Sequence, residues 1–161
     1  MPKVKLGARQ KLEKEQERKL VDDRRSLGKV LVPRPLDIDG VMRQVPEGKL
    51  LLINQIRDVL AAKFGANSTC PLCAGIFSRM AAEAAEEDMA KGGSNVTPYW
   101  RVLKGDGSLN VKYPGGAEAQ AVRLMKEGHV IIPAQGKKPP KVKNYEAVLM
   151  SLSVAHLKEI N

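Results

Sequence analysis

Three groups of residues in this sequence are candidates for chemistry or binding. The first is Cys70-Pro71-Leu72-Cys73, two thiols three residues apart at the predicted start of a helix. Such a pair is a candidate redox site, because thiols at helix N-termini are more acidic than free ones. It is also half of a zinc-ligand set, or two small residues that pack the first helical turn. The chain has no second cysteine pair, so we predict no metal and no cofactor.

The second group is Tyr99-Trp100-Arg101. The two aromatic rings could line a pocket for an extrahelical base, which would stack on them. Arg101 could reach a nucleic-acid phosphate. The alternatives are that Trp100, the only tryptophan, anchors the core and that Arg101 pairs with Glu127 or another carboxylate.

The third group consists of the lysines in the predicted loop Gln135 to Lys143. The chain has a formal net charge of +9 and an isoelectric point of about 9.7. Such a charge favours an anionic partner, most often nucleic acid, although a solvated basic surface is the alternative. We predict phosphate contacts from the loop lysines, which are Lys137, Lys138, Lys141 and Lys143.

Most of the positive charge lies at the start of the chain. Residues 1–34 contain eleven Lys and Arg against five Asp and Glu. Apolar residues are sparse from Leu6 to Arg25, so a helix there would be polar nearly all round and would gain little from packing. We therefore predict a mobile or weakly helical basic arm. The predicted organisation is an arm (1–34), a central domain (35–134), and a Lys-rich loop with a C-terminal helix (135–161).

Apolar spacing and capping residues predict five helices in the rest of the chain. They run from Leu36 to Val45, from Asn54 to Phe64, from Pro71 to Ala90, from Ala117 to Glu127 and from Tyr145 to Ile160. Extended segments are predicted at Val30 to Pro35, Val96 to Leu103 and Val130 to Ile132. The predicted class is thus α+β and mostly helical. The second and third helices, joined by a short polar turn with Thr69 as a capping residue, outline a helix-turn-helix unit.

The composition also limits the setting in which the protein works. No stretch approaches the roughly 18 apolar residues that span a bilayer, so no membrane association is predicted. Two cysteines and a charged N-terminus favour a reducing compartment, and we expect a cytoplasmic monomer.

Residues from about Val45 to Ile132 resemble the C-terminal domain of the alkylguanine-DNA alkyltransferases and of the alkyltransferase-like proteins. The resemblance rests on the order and spacing of several short blocks rather than on one motif. It implies a winged helix-turn-helix fold that binds DNA. The blocks are Pro46-Glu47-Gly48-Lys49, Ile56, Ala74-Gly75, Arg79, Pro98-Tyr99-Trp100-Arg101-Val102, Asp106-Gly107-Ser108-Leu109, Tyr113-Pro114-Gly115-Gly116 and Leu124-Met125-Lys126-Glu127-Gly128.

The resemblance also argues against catalysis. The active-site strand of these methyltransferases reads Pro-Cys-His-Arg-Val, and its cysteine accepts the alkyl group. Here Tyr99 stands in place of that cysteine and Trp100 in place of the histidine. A phenol with a pKa near 10 and no adjacent base is a poor acceptor. The resemblance therefore implies a protein that is not an enzyme and that senses alkylated or flipped bases in DNA repair.

Other positions determine how far the resemblance extends. Arg79 matches the arginine that fills the gap left by a flipped base, whereas Ile53 replaces a tyrosine that rotates a phosphate. The second half of the presumed recognition helix carries four acidic residues, which would repel phosphate: Glu83, Glu86, Glu87 and Asp88.

Two alternative functions remain open. One is a protein–protein interaction module that has lost DNA binding, and the other is a thiol redox protein that uses Cys70 and Cys73.

Overall fold

The fold was analysed in a computed structural model, which describes residues 5–25, 28–158 and 160. Five α-helices and seven short strands are present among these residues, so the predicted α+β class is confirmed. The helices are α1 (Ala8–Glu13), α2 (Pro35–Met42), α3 (Ile53–Lys63), α4 (Pro71–Ala90) and α5 (Gly116–Lys126). The strands are β1 (Lys19–Asp22), β2 (Lys29–Val32), β3 (Leu51–Leu52), β4 (Ser68–Thr69), β5 (Val102–Leu103), β6 (Ile131–Ile132) and β7 (Lys141–Val142).

Helix α4 is the longest element, and its sequence explains both of its ends. Cys70 is the N-cap, and Pro71 follows at the first helical position, where a missing N–H costs nothing. The helix stops at Gly92, which adopts φ +87°. The amide of Gly93 then donates to the carbonyl of Asp88 at 2.8 Å, which closes the helix as a Schellman motif. The predicted range from Pro71 to Ala90 is confirmed.

The strands form three small sheets. Strand β2 pairs antiparallel with β1 and parallel with β4, with Leu31 opposite Thr69. Strands β3 and β5 pair in parallel, with Leu51 opposite Val102, which brings the start of α3 beside the segment that follows Arg101. Strands β6 and β7 form an antiparallel hairpin. The segment predicted to be extended from Val96 to Leu103 is partly wrong, because residues Tyr99–Arg101 form a 3-10 turn before β5.

Two clusters of buried apolar residues form the core. The larger one lies among α2, α3 and α4 and also contains Leu12 and Tyr99. The smaller one contains Leu103, Leu109 and Leu124, between β5 and α5. The half-buried indole of Trp100 packs against both clusters. The predicted role of Trp100 as a core anchor is therefore confirmed.

The prediction of a mobile or weakly helical arm is partly wrong for the residues that the structure describes: Ala8–Glu13 form a short helix, but the segment is packed against the domain. Helix α1 packs against α4, and the side chain of Leu12 is fully buried. The guanidinium of Arg18 donates two hydrogen bonds, of 2.8 and 2.9 Å, to the buried carboxylate of Asp37 in α2. The burial of Leu12 and the ion pair between Arg18 and the buried Asp37 thus fix this segment against the domain. Residues 1–4 and 26–27 of the predicted arm lie outside the described residues.

The predicted C-terminal helix from Tyr145 to Ile160 is also wrong. The segment contains two 3-10 turns, Tyr145–Val148 and Val154–His156, joined by extended chain. Apart from the bonds within these turns, its backbone bonds to the core. The amide of Leu50 donates to the carbonyl of Val148 at 3.0 Å, and the amide of Met150 donates to the carbonyl of Leu50 at 2.8 Å. Glu159 and Asn161 lie outside the described residues.

Replacing Leu12 by alanine tests whether the N-terminal segment belongs to the cooperative fold. We expect Leu12→Ala to lower the free energy of unfolding by about 3 kcal/mol, because it leaves a cavity between α1 and α4. The matched control is Leu20→Ala, since Leu20 is 49% exposed and its truncation should cost less than about 0.5 kcal/mol. Urea denaturation measures both values. Equal stabilities for the two variants would contradict the docking of α1.

Candidate nucleic-acid interface

The structure places Tyr99 in the core and not in a ligand pocket. Its side chain is 1% exposed, and its hydroxyl donates to Glu86 Oε1 at 2.5 Å. Its ring makes edge-to-face contacts with Trp100 and Tyr113, at centroid distances of 5.4 and 5.1 Å. Burial and the neighbouring Glu86 raise the pKa of the Tyr99 phenol above its usual value. The prediction that Tyr99 stacks on an extruded base is therefore wrong, because its ring is enclosed by protein.

Glu127 connects the two neighbours of Tyr99. Trp100 Nε1 donates to its carboxylate at 3.0 Å, and Arg101 donates to both carboxylate oxygens through Nε and a terminal nitrogen, at 2.9 and 2.7 Å. The second terminal nitrogen of Arg101 donates to the carbonyl of Val45 at 2.8 Å. Burial opposes the charge on Glu127, but the bonds from Arg101 and Trp100 outweigh it and lower the pKa of this carboxyl.

These contacts correct two further predictions. The Arg101 side chain is 14% exposed and its donors are taken by Glu127 and Val45, so Arg101 is not available to phosphate. The Trp100 ring carries the guanidiniums of Arg123 and Arg101 at 4.7 and 5.5 Å from its centroid. Together with its packing against both core clusters, these contacts make Trp100 a structural residue and not a platform for a base.

Thr69 is a second buried residue among the predicted DNA contacts. It is 1% exposed, and its hydroxyl donates to the carbonyl of Arg57 at 2.7 Å. In return, Arg57 Nε donates to the carbonyl of Thr69 at 3.1 Å. Thr69 thus joins α3 to β4 and does not face a groove, which corrects the prediction.

The two cysteines are free and half-buried at the start of α4. The amide of Cys73 donates to Cys70 Sγ at 3.3 Å. Burial raises the pKa of the Cys73 thiol to about 11, and the nearby Cys70 sulfur adds to this effect. The prediction of more acidic thiols is therefore wrong for Cys73, because its burial disfavours the charged form. Among the described residues, no group of three or more His, Cys, Asp or Glu side chains is close enough together to hold a metal ion.

The lysines of the predicted loop lie between β6 and β7, on β7 and, for Lys143, directly after β7. Lys137, Lys138 and Lys143 are exposed, whereas Lys141 is half-buried with its ammonium 5.4 Å from the ring centre of Tyr145. None of these lysines forms an ion pair with any residue that the structure describes. The hairpin is bonded to the preceding turn, since the amide of Leu109 donates to the carbonyl of Pro140 at 2.9 Å. The loop lysines therefore remain available to an anionic partner.

The acidic half of α4 faces the chain's own cations. Glu87 accepts the amides of Ala8 and Arg9 at 2.6 and 3.5 Å and thereby caps α1. Asp88 pairs with the guanidinium of Arg9 at 2.5 Å, and Glu86 pairs with Arg123 of α5 at 3.0 Å. These carboxylates are thus neutralised within the fold and do not form a repulsive outer surface.

Arg79 lies on the exposed side of α4. Its side chain is 56% exposed and pairs with Glu83, one turn later, at 3.0 Å. An exposed pair of this kind is worth only about 0.3–0.5 kcal/mol, so an external phosphate can displace Glu83 at little cost. Arg79 thus remains a candidate contact.

The structure adds a cleft that the sequence did not indicate. Two adjoining cavities of about 180 and 280 Å³ lie between the first turns of α4 and the segment after β5. Pro71, Gly75, Lys104 and Asn110 line both. The remaining lining residues are Ile53, Arg57, Ser78, Leu103, Gly105 and Tyr113 in the first cavity and Leu72, Ile76, Arg79, Val111 and Lys112 in the second.

The cleft combines apolar surface with positive charge. Leu72, Ile76 and Val111 are 72%, 49% and 60% exposed, which is unusual for residues of this type when they lie together. No carboxylate lines either cavity. The apolar residues are instead accompanied by four cations, which are Arg57, Arg79, Lys104 and Lys112. The arrangement suits a ligand that is anionic at its edge and apolar or aromatic inside.

Comparisons with known proteins identify no relative. No protein-family model matches the chain, and neither a curated protein nor a solved structure matches it significantly. Within the described residues, no helix has the length and apolar character needed to cross a membrane.

A substitution at Glu127 tests whether this carboxylate serves stability. We expect Glu127→Gln to lower the free energy of unfolding by about 2 kcal/mol at neutral pH, because Arg101 loses its buried partner. The folded pKa of Glu127 is lowered, so its contribution is present above the unfolded value of about 4.5 and is lost as the pH falls through the folded value. The difference in the free energy of unfolding between wild type and variant should therefore decrease as the pH falls. Thermal unfolding over a pH series measures it, and the exposed Glu118→Gln is the control.

Proposed function

We propose that the protein is a non-catalytic, alkyltransferase-like DNA-binding protein whose interface is the cleft at the start of α4. In this proposal α3 and α4 are the helix-turn-helix pair, and the β6–β7 hairpin is the wing. The observation that carries the proposal is the composition of the cleft: exposed apolar side chains within a ring of cations, without a carboxylate.

The position of the cleft suits a recognition helix. Pro71, Leu72, Gly75, Ile76 and Arg79 belong to the first three turns of α4, the part of such a helix that approaches base edges. The partial positive charge of a helix N-terminus also favours phosphate there. The basic hairpin extends this surface, because its lysines are joined through Leu109 and Pro140 to the turn that forms one wall of the cleft.

The strongest objection to DNA binding concerned the acidic residues of α4. Glu86, Glu87 and Asp88 are paired with Arg123, the start of α1 and Arg9, so they do not repel an approaching phosphate. The fourth, Glu83, is 38% exposed and pairs with Arg79. The acidic residues therefore no longer favour a protein–protein interaction module over DNA binding, and the cations of the cleft favour DNA.

The absence of catalysis in this proposal follows from Tyr99. The phenol is enclosed, donates to Glu86 and has a raised pKa, so it stays protonated at neutral pH and is a poor nucleophile. A sensing role in repair would then depend on the cleft, which offers an apolar interior to an alkylated or unstacked base. The cleft thereby replaces the surface beside Tyr99 and Trp100 as the candidate base-binding region.

Removing two cations from the cleft tests the proposed interface. We expect the double variant Lys104→Ala/Lys112→Ala to lower the slope of log affinity against log salt by about 2, because each phosphate contact contributes about 0.9. Affinity for a duplex at low salt should fall about tenfold. Fluorescence anisotropy with a labelled duplex, with and without one alkylguanine, measures both quantities.

The control for this experiment is Lys126→Ala/Lys158→Ala, which removes two exposed lysines outside the cleft. An equal loss in the control would show that only net charge matters. Tighter binding of the alkylated duplex by the wild type would support damage sensing. Binding that does not weaken with salt would argue for a protein partner, and the DNA proposal would be abandoned.

Gly75 offers a test of the cleft that leaves the charge unchanged. A Cβ at this position would meet nothing within 4 Å, so Gly75→Ala should stabilise the protein by about 0.5–1 kcal/mol through helix propensity. We expect the larger Gly75→Leu to fill the cleft and weaken duplex binding about tenfold or more. The matched control is Ala62→Leu, which adds a leucine on the exposed side of α3. Wild-type affinity in Gly75→Leu would remove the cleft from the interface.

A further inference from the structure

The cysteines at the start of α4 form a second candidate site, independent of DNA binding. Cys70 is the N-cap and Cys73 occupies the third helical position. Helix geometry puts Cα atoms three residues apart at about 5 Å, within the range that a disulfide bridges. The amide of Cys73 already points at Cys70 Sγ, 3.3 Å away. Both residues are half-buried, so small reagents can reach them.

We propose that Cys70 and Cys73 are a reversible dithiol–disulfide pair that exchanges with low-molecular-weight disulfides. Cys70 is the attacking residue. Its sulfur accepts the Cys73 amide and lies at the N-terminal end of a 20-residue helix, where the helix dipole is positive. The guanidinium of Arg57 adds positive charge nearby, since it is bonded to the carbonyl of the preceding residue, Thr69.

The exchange proceeds in two balanced steps. The Cys70 thiolate attacks one sulfur of an external disulfide, forms a mixed disulfide and releases one thiolate. Cys73 then gives up its proton and attacks Cys70 Sγ, which forms the Cys70–Cys73 bond and releases the second thiolate. The protein loses two electrons and two protons, and the external disulfide is reduced to two thiols.

The environment of Cys73 suits the second step. Burial raises the pKa of its thiol, so it does not compete for the external disulfide. The other causes of this raised pKa are the hydrogen bond to Cys70 and the charge on Cys70. Both disappear once the Cys70 sulfur is part of a mixed disulfide. The reaction of Cys70 thus removes two of the three causes that raise the pKa of Cys73, while its burial remains, and this favours the order in which Cys70 reacts first.

The experiment uses the full chain in glutathione buffers of graded oxidation, followed by acid quench, alkylation of free thiols and intact mass measurement. We expect the wild type to lose two hydrogen atoms, to carry no glutathione and to recover its thiols on dilution into excess reduced glutathione. Cys73→Ser should retain one glutathione, trapped on Cys70. Cys70→Ser should react at least about fivefold more slowly, because burial raises the pKa of the remaining Cys73 thiol.

Three results would overturn the proposal. They are a wild type that stays reduced in the most oxidising buffer, a wild type that accumulates two glutathiones, and equal rates in the two serine variants. Serine is a good N-cap, so Cys70→Ser should remain folded, and a thermal melt of each variant checks this. Because the readout is mass, it is independent of whether the protein binds DNA.

Discussion

The carboxylates in the second half of α4 determine how the helices of this protein are arranged. Glu87 caps α1, Asp88 binds Arg9, and Glu86 accepts both the phenol of Tyr99 and the guanidinium of Arg123. Exposed ion pairs of this kind are worth at most about 1 kcal/mol each. The burial of Leu12 supplies more free energy than any one of them. The carboxylates therefore act mainly on geometry: they determine where α1 and α5 sit against α4.

Glu127 likewise has a structural role, because it holds residues that could otherwise bind a ligand. The segment Tyr99–Arg101 contains the residue types that a binding site would need, but one carboxylate holds both Trp100 and Arg101. Removing two charges from water is costly, and that cost is offset only when the partners bond closely, as they do here. The indole and the guanidinium are consequently fixed between the two core clusters. The cleft and the hairpin, in contrast, contain lysines without an ion-pair partner among the described residues, and the proposed binding relies on these groups.

Local signals predicted the elements that depend on local interactions. The ends of α4 followed from Pro71 and from Gly92-Gly93, and α5 begins and ends within one residue of its predicted bounds. The C-terminal helix was wrong, because Leu50 satisfies the backbone of the segment around Leu149, and apolar spacing cannot reveal a distant partner. The cleft was missed for the same reason: Arg57, Gly75 and Lys104 meet only in the folded chain. Two signals were nevertheless present, a glycine inside a helix and the apolar residues Leu72 and Ile76 one turn apart on its outer side.

The distribution of charge along α4 also supports an anionic partner. The helix dipole favours acidic residues in the first turn and basic residues in the last, each by about 0.3–1 kcal/mol. Helix α4 has no acidic residue in its first turn and no basic residue in its last turn, and its carboxylates lie in its second half. This order is unfavourable for an isolated helix, and cations from α1 and α5 offset it at the C-terminal end. No carboxylate of the cleft offsets the positive N-terminal end. A phosphate bound there would complete the charge balance of the helix, and for this reason we place the proposed interface at its N-terminal turns.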